Sequence, residues 1–113
     1  IATVGVNEEQ ARSMGVDPIV GAFPFEANGR SLTLSEDEGF VRVVADGESH
    51  ELLGAQIVGP DASELIAELG LALEAGMCLE DVAETVHMHP TLSEAVMEAC
   101  ENALGQAIHT LNR

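Results

Sequence analysis

The chain has 113 residues, which is enough for one domain and too few for two. Hydrophobic residues make up 46% of it and are mostly aliphatic, with three Phe and no Trp or Tyr, so we expect an aliphatic core. Four Arg and no Lys face 20 acidic residues, and the net charge of −16 makes nucleic acid and anionic membranes poor partners, because binding to either requires positive charge.

The first 34 residues contain signals for strands, a helix and a turn. The β-branched run at residues 1–6 predicts a strand. Asn7, with acidic residues after it, is typical of a helix N-cap, and Gly15 fits the C-cap of the short helix that follows. Beyond it we predict, in order, an extended segment at 18–25, a turn at Asn28–Gly29 and a short strand at 31–34.

A β-hairpin is predicted next. An acidic turn at residues 36–39 leads into a strand at 40–45, and Asp46–Gly47 is a strong hairpin-turn signal. Residues 51–58 return as the partner strand, and their alternation places three side chains on one face: Leu53, Ala55 and Ile57.

The period of the hydrophobic pattern then changes to that of helices. Asp61, with Glu64 three positions later, resembles a capping box and begins a helix that continues to Gly76. Residues 65–73 are apolar nearly all round, so this helix is either packed centrally or covered on its second side by a partner subunit. Both interpretations remain open at this point.

A short helix is predicted at residues 80–86, and a long one begins near Thr91 after the interruption at Pro90. One stripe of the last helix is apolar: Leu92, Ala95, Val96, Ala99, Ala103 and Ala107. Strands followed by helices predict a single α+β domain over residues 1–113, with an antiparallel β-sheet and helices packed on one face.

Residues 87–94 contain the densest set of side chains that could carry chemistry, with His87, His89 and Glu94 around Pro90. Histidine suits proton transfer near neutral pH, and a nearby carboxylate fixes its tautomer and favours its protonated form. His89 precedes a proline, which predicts a loop position from which the ring can reach outward. The alternative is structural, because Thr91 and Glu94 also fit a capping box at the helix start.

Other chemistries find little support. No metal site is predicted, because His87, His89 and His109 lack a further ligand at a telling spacing, and His50 is expected on the surface of a polar hairpin. Cys78 and Cys100 form no CxxC or CxxxxC motif and are expected to be small core residues. The sequence also contains no GxGxxG motif and no P-loop.

The run His89-Pro90-Thr91-Leu92-Ser93-Glu94 resembles the C-terminal signature of the pyridine nucleotide–disulfide oxidoreductases. Three further segments resemble the same family, so that the resemblance covers essentially the whole chain: residues 23–30, 39–42 and 53–66. With Ala95 next, the run is similar to the dihydrolipoamide dehydrogenase branch, since glutathione reductases tend to have a second acid there and mercuric reductases lack the His-Pro pair.

The resemblance implies the interface domain of a homodimeric flavoenzyme that uses FAD and NAD, neither of which this domain would bind alone. His89 would reach the redox disulfide and flavin of the partner subunit and take a proton from the dihydrolipoamide thiol. Glu94 would orient His89, while His87 would give support only. The His89–Pro90 peptide would be cis, and His89 and Pro90 would lie near the partner subunit's FAD.

The resemblance also implies partners: the FAD- and NAD-binding domains of the same polypeptide, and a lipoyl-bearing protein of a 2-oxoacid dehydrogenase or glycine cleavage complex. The start at Ile1 in place of Met fits a piece of a longer cytoplasmic enzyme that is inactive in isolation. The alternative is a stand-alone dimerisation module of the same fold without catalytic activity. With no Lys and a large excess of acidic residues, the chain resembles the proteins of halophilic archaea. The alternative is an ordinary acidic protein. The halophilic interpretation predicts that the folded state becomes more stable as salt is added.

Overall fold

The structure, a computed structural model, describes residues 1–35 and 38–105. Four strands are present: β1 (Ala2–Gly5), β2 (Pro18–Pro24), β3 (Phe40–Asp46) and β4 (Leu52–Val58). Five α-helices accompany them: α1 (Glu8–Ser13), α2 (Gly29–Leu34), α3 (Ala62–Glu74), α4 (Leu79–Ala83) and α5 (Glu94–Ala103). A 3-10 turn at Phe25–Ala27 links β2 to α2.

The strands form one antiparallel sheet in the order β1-β4-β3-β2. Val4, Ala55, Val43 and Gly21 lie side by side in one row across it. Helix α3 packs on the β1–β4 half and α5 on the β2–β3 half, while α4 packs against α5. The predicted α+β fold with helices against an antiparallel sheet is therefore confirmed.

The core lies between the sheet and these helices and is aliphatic, as the composition predicts. Its largest buried side chains are Phe23, Phe25, Ile57, Leu69 and Leu79. Helix α5 lies so close to β2 that a Cβ on Gly21 would collide with the backbone of Ala99 and Ala103. Gly21 therefore allows the contact that places the start of α5, and with it residues 87–94, at one end of the sheet.

The short strand predicted at residues 31–34 is wrong, because these residues belong to α2. Asn28 is the N-cap of that helix, and its side-chain oxygen accepts the N–H of Ser31 at 2.9 Å. The Asn28–Gly29 pair therefore starts a helix and not a turn, which sequence alone does not distinguish because Asn favours both. The helix ends at Ser35, whose backbone is left-handed with φ 56°.

The face predicted for β4 needs one correction. Ala55 and Ile57 point into the core as expected, but the third core side chain is Leu52 and not Leu53. A register shift between Val44 and Ala45 in β3 places Leu52 opposite Ala45, and such a bulge breaks the alternation on which the prediction relied.

The helix starts also differ from their predictions. Asp61 is the N-cap of α3 as predicted, but its side chain makes no capping hydrogen bond; its backbone carbonyl accepts the N–H groups of Glu64 and Leu65 instead. Helix α5 begins at Glu94, three residues after the predicted start at Thr91. Predictions for residues 36–37, Ala107 and His109 lie outside the described residues. Within residues 1–35 and 38–105, no helix is both long enough and apolar enough to cross a lipid bilayer.

Candidate active site at the start of the last helix

The loop between α4 and α5 presents His89 to solvent. Its side chain is 75% exposed, and Met88 and Pro90 on either side are exposed as well. The His89–Pro90 peptide is cis, as the resemblance implied. The residue that the sequence singled out as an acid–base group is thus accessible to a substrate from outside the domain.

Glu94 joins this loop to the first turn of α5. One carboxylate oxygen, Oε1, lies 3.0 Å from His89 Nδ1 and also accepts the backbone N–H of Thr91 at 3.0 Å. The second oxygen, Oε2, lies 3.1 Å from the same ring nitrogen. The side chain is only 15% exposed. Glu94 therefore contacts both the Thr91 backbone and the His89 ring, but the capping box predicted at Thr91 is not formed, because the N-cap of α5 is Ser93 and the Thr91 hydroxyl bonds Met88 instead.

The contact with Glu94 sets the tautomer of the His89 ring. An ionised carboxylate can only accept, so Nδ1 carries the hydrogen and donates it to Glu94. In the neutral ring Nε2 then holds the free electron pair, and no residue in the described part of the chain hydrogen-bonds to it. A proton taken up at Nε2 would give an imidazolium next to a carboxylate, which stabilises it.

Thr91 closes the loop on itself and ties it to a neighbouring helix. Its hydroxyl donates to the carbonyl of Met88 at 2.6 Å and lies 2.9 Å from the hydroxyl of Ser93. Its own carbonyl accepts a hydrogen bond of 3.0 Å from the buried side-chain amide of Asn28. The sequence analysis missed this role of Asn28, and no spacing signal could have found it, because the two residues are 63 positions apart.

His87 has a second carboxylate partner. Its side chain is 5% exposed; Nε2 lies 2.6 Å from Oε2 of Glu68 on α3, and Nδ1 lies 2.7 Å from the carbonyl oxygen of Thr85. Both ring nitrogens lie within hydrogen-bond distance of an acceptor, so the ring is held at two points. His87 therefore lies inside the domain, as expected of a residue in support, and Glu68 was not anticipated as its partner.

His50 forms a third pair. Its Nδ1 lies 2.7 Å from Oε2 of Glu80 at the start of α4, so it is half-buried and paired and not a plain surface residue. This hydrogen bond lowers the pKa of Glu80. Within residues 1–35 and 38–105, no group of three or more His, Cys, Asp or Glu side chains is arranged to hold a metal ion.

The cysteines are free and poorly suited to redox chemistry. Cys100 is fully buried, as predicted, and burial raises the pKa of its thiol. Cys78 is only partly buried, so its assignment to the core was wrong: it lies just before α4, where its backbone N–H donates to Asp81. Desolvation, followed by the charge of Asp81, raises the pKa of the Cys78 thiol. A raised pKa disfavours the reactive thiolate at both positions.

Residues 1–100 match the family described as pyridine nucleotide-disulphide oxidoreductase, dimerisation domain. The chain belongs to this family. The match covers the sheet, α3, α4 and the loop with His89, so the resemblance inferred from the motifs is confirmed.

Curated relatives of this dimerisation domain are dihydrolipoyl dehydrogenases. The proteins from Halobacterium salinarum and Haloferax volcanii are 68% and 67% identical over all 113 residues, and the one from Geobacillus stearothermophilus is 54% identical over 112 residues. The chain spans about a quarter of their length, 24% in each case. The names of the first two organisms agree with the salt-adapted character read from the composition.

Solved structures of the family share the fold of this dimerisation domain. LpdA from Mycobacterium tuberculosis superposes with a TM-score of 0.81 at 26% identity, covering 88% of this chain and 22% of that one. The HOCl-induced flavoprotein disulfide reductase RclA from Escherichia coli gives 0.83 at 27%, covering 88% and 23%. The roles assigned to His89, Pro90 and Glu94 are a separate matter and stay predictions.

Proposed function

We propose that the chain is the C-terminal dimerisation domain of a dihydrolipoyl dehydrogenase and supplies its acid–base pair. The observation that carries the proposal is the geometry of His89: an exposed imidazole with Nδ1 bonded to a largely buried carboxylate and Nε2 open to a substrate. This is the arrangement that a general base requires, since the carboxylate fixes the ring and stabilises its protonated form. The names of the relatives supply the reaction, oxidation of dihydrolipoamide to lipoamide.

In this proposal His89 Nε2 takes the proton of a dihydrolipoamide thiol. The thiolate so formed attacks a redox disulfide outside this chain and forms a mixed disulfide, and the enzyme sulfur that leaves takes the proton back from His89. The second substrate thiol then gives its proton to His89 and displaces the other enzyme sulfur, which leaves as a thiolate and takes that proton in turn. The substrate becomes a disulfide and the enzyme disulfide becomes two thiols, so two electrons have moved. Glu94 stabilises the imidazolium between these steps.

FAD and NAD would be held by domains that lie outside residues 1–113. The sequence contains no GxGxxG fingerprint to bind a dinucleotide, and the described residues present His89 and Pro90 at an outer surface. When bound, FAD would pass the two electrons on to NAD⁺. The part of this chain would be to place His89, and the carbonyl beside Pro90, near the partner subunit's flavin.

A homodimer is part of the proposal. Leu71 on α3 and Met77 just after it are exposed large hydrophobic side chains that line the same surface pocket, and such clusters mark interaction surfaces. This supports the interpretation in which a partner subunit covers the second side of α3. A charge of −16 per chain opposes pairing at low ionic strength, so we expect the dimer in molar KCl. The lipoyl-bearing partner is proposed from the relatives' names, and the cytoplasmic location from the family resemblance.

The test is His89→Gln in the full-length polypeptide that contains this chain, assayed in molar KCl. We expect oxidation of dihydrolipoamide by NAD⁺ to slow by about 1,000-fold, within the range for loss of a general base. Oxidation of NADH by an artificial dye, which needs no proton from a substrate thiol, should stay unchanged.

The matched control is His50→Gln, because His50 is also bonded to a glutamate but lies away from the loop. Normal dithiol oxidation in His89→Gln would contradict the proposal. If the reading frame upstream of this chain encodes neither nucleotide-binding motifs nor a CxxxxC motif, the alternative of a stand-alone dimerisation module is supported instead.

A further inference from the structure

The segment that precedes His89 is attached to the domain through a buried polar contact. His87 is two residues before His89, and its ring is almost completely buried while that of His89 is exposed. Two hydrogen bonds of 2.6 and 2.7 Å, one to the side chain of Glu68 and one to the backbone of Thr85, fix both the position and the rotation of the His87 ring. A ring held at two points leaves little freedom for the backbone that carries it.

Glu68 makes this attachment rigid because of its place in the fold. It lies in the middle of the thirteen-residue helix α3, next to Leu69, which is fully buried against the sheet. The loop is thus held by the helix on the β1–β4 half of the sheet, while Glu94 belongs to the helix on the other half. His87 thus links the base of the loop, just after α4, to α3.

The far side of the loop is held as well. The amide of Asn28 binds the carbonyl of Thr91, and the Thr91 hydroxyl binds the carbonyl of Met88. Exposed residues lie between these two attachments: Met88, His89 and Pro90. The direction in which His89 projects therefore depends on contacts made by neighbours that do not themselves face the substrate.

We propose that Glu68, acting through His87, is a positioning residue for the base His89. The inference rests on the proposed function, and it adds a residue distant in sequence that contacts the loop through the buried His87 ring. Loss of the carboxylate would leave His89 and Glu94 chemically intact but would let the loop shift. Catalysis is sensitive to such shifts, since a displacement of about 1 Å at the reacting atoms can lower a rate roughly 100-fold.

The experiment compares three variants of the full-length enzyme in molar KCl: Glu68→Ala, Glu68→Gln and the control Glu80→Ala. Glu80 is the matched control because it also binds a histidine ring nitrogen, at 2.7 Å, but holds a different segment. We expect Glu68→Ala to lower kcat for dihydrolipoamide about tenfold, with the KM for NAD⁺ and the NADH–dye rate unchanged. Glu68→Gln should keep most of the activity because its amide oxygen still accepts from His87, and Glu80→Ala should be normal.

If Glu68→Ala does not fold, Glu68→Asp replaces it. It keeps the charge but withdraws the acceptor by one carbon–carbon bond, about 1.5 Å, and should give a smaller loss of the same kind. Equal losses of the dithiol and dye reactions would overturn the inference, and so would full activity in Glu68→Ala or, where that variant does not fold, in Glu68→Asp. If both the Glu68 variants and His89→Gln are fully active, the proposed function fails. If His89→Gln is inactive but the Glu68 variants are fully active, only the role of Glu68 fails.

Discussion

His87 and His89 are two positions apart in the chain, and each contacts a glutamate. The two histidine–glutamate pairs differ in their surroundings. His89 pairs with Glu94 through Nδ1 and leaves Nε2 open to solvent, whereas His87 is buried and has both nitrogens bonded. A base must exchange its proton with a substrate, which only the first ring can do. In the proposed function, the same two residue types would therefore give an acid–base group at the surface and an anchor inside.

The sharpest test of this division is Glu94→Gln in the full-length enzyme. The amide oxygen can still accept from Thr91 and from His89 Nδ1, so the loop should keep its shape, but the negative charge beside the imidazolium is lost. We expect kcat for dihydrolipoamide to fall about 100-fold. The free energy of unfolding should change by less than about 1 kcal/mol, because the amide oxygen keeps the hydrogen bonds from Thr91 and His89.

Turnover and urea denaturation midpoints, measured on the same preparation, check both parts of this prediction. Glu68→Gln is the companion variant, since it makes the same chemical change in the buried pair. Losses of equal size in the two variants, or a Glu94→Gln protein that loses its fold, would remove the distinction between the two pairs.

The next largest expected effect is on the free energy of unfolding. Here substitution in the His87 pair should cost more than substitution in the His89 pair, the reverse of the order expected for turnover. His87→Ala removes a buried ring and leaves Glu68 without its donor, which we expect to lower the free energy of unfolding by about 1–3 kcal/mol. His89→Ala should change it by less than about 0.5 kcal/mol because its side chain is largely in water. Urea midpoints in molar KCl measure both, and a larger loss for His89→Ala would refute the anchor role.

The difference between the two pairs also shows what sequence could and could not predict. His89 and Glu94 are five positions apart beside a proline, so their contact follows from local spacing and from the family motif. Glu68 and His87 are 19 positions apart and on separate elements, so their contact depends on how α3 packs on the sheet. The pair proposed to act on the substrate was predicted from the sequence, and the contact of Glu68 with His87 was not.

The fold follows the same rule. Most strands and helices and the antiparallel sheet were predicted, because they depend on hydrophobic periodicity within each segment. The exception is α2, whose residues 31–34 were expected to form a strand. The errors occur where one residue type is common in two kinds of local structure, or where the register between strands determines which side chains are buried. Asn28 was read as a turn residue but is a helix N-cap, and the shift at Val44 and Ala45 brought Leu52 into the core in place of Leu53.

The third pair, His50 with Glu80, is intermediate and gives the smallest expected effect. The two side chains are 34% and 44% exposed, so water screens their attraction. The hydrogen bond from His50 lowers the pKa of Glu80 against the opposing effect of burial. A carboxyl with a lowered folded-state pKa stabilises the fold above its unfolded-state value, and this contribution is lost as the pH falls through the lowered value.

We therefore expect the pair to contribute no more than about 0.5 kcal/mol near pH 7 and nothing at strongly acid pH. Carbon NMR of the Glu80 carboxyl should show a titration midpoint below that of an ordinary glutamate, and His50→Gln should move it upward. Near pH 6, amide hydrogen exchange in α4 should be slower in the unsubstituted protein than in Glu80→Gln. Near pH 3, the two proteins should exchange at the same rate. An unchanged midpoint in His50→Gln would mean that the 2.7 Å contact has no electrostatic effect in water, and that burial alone separates the anchor at His87 from a surface contact.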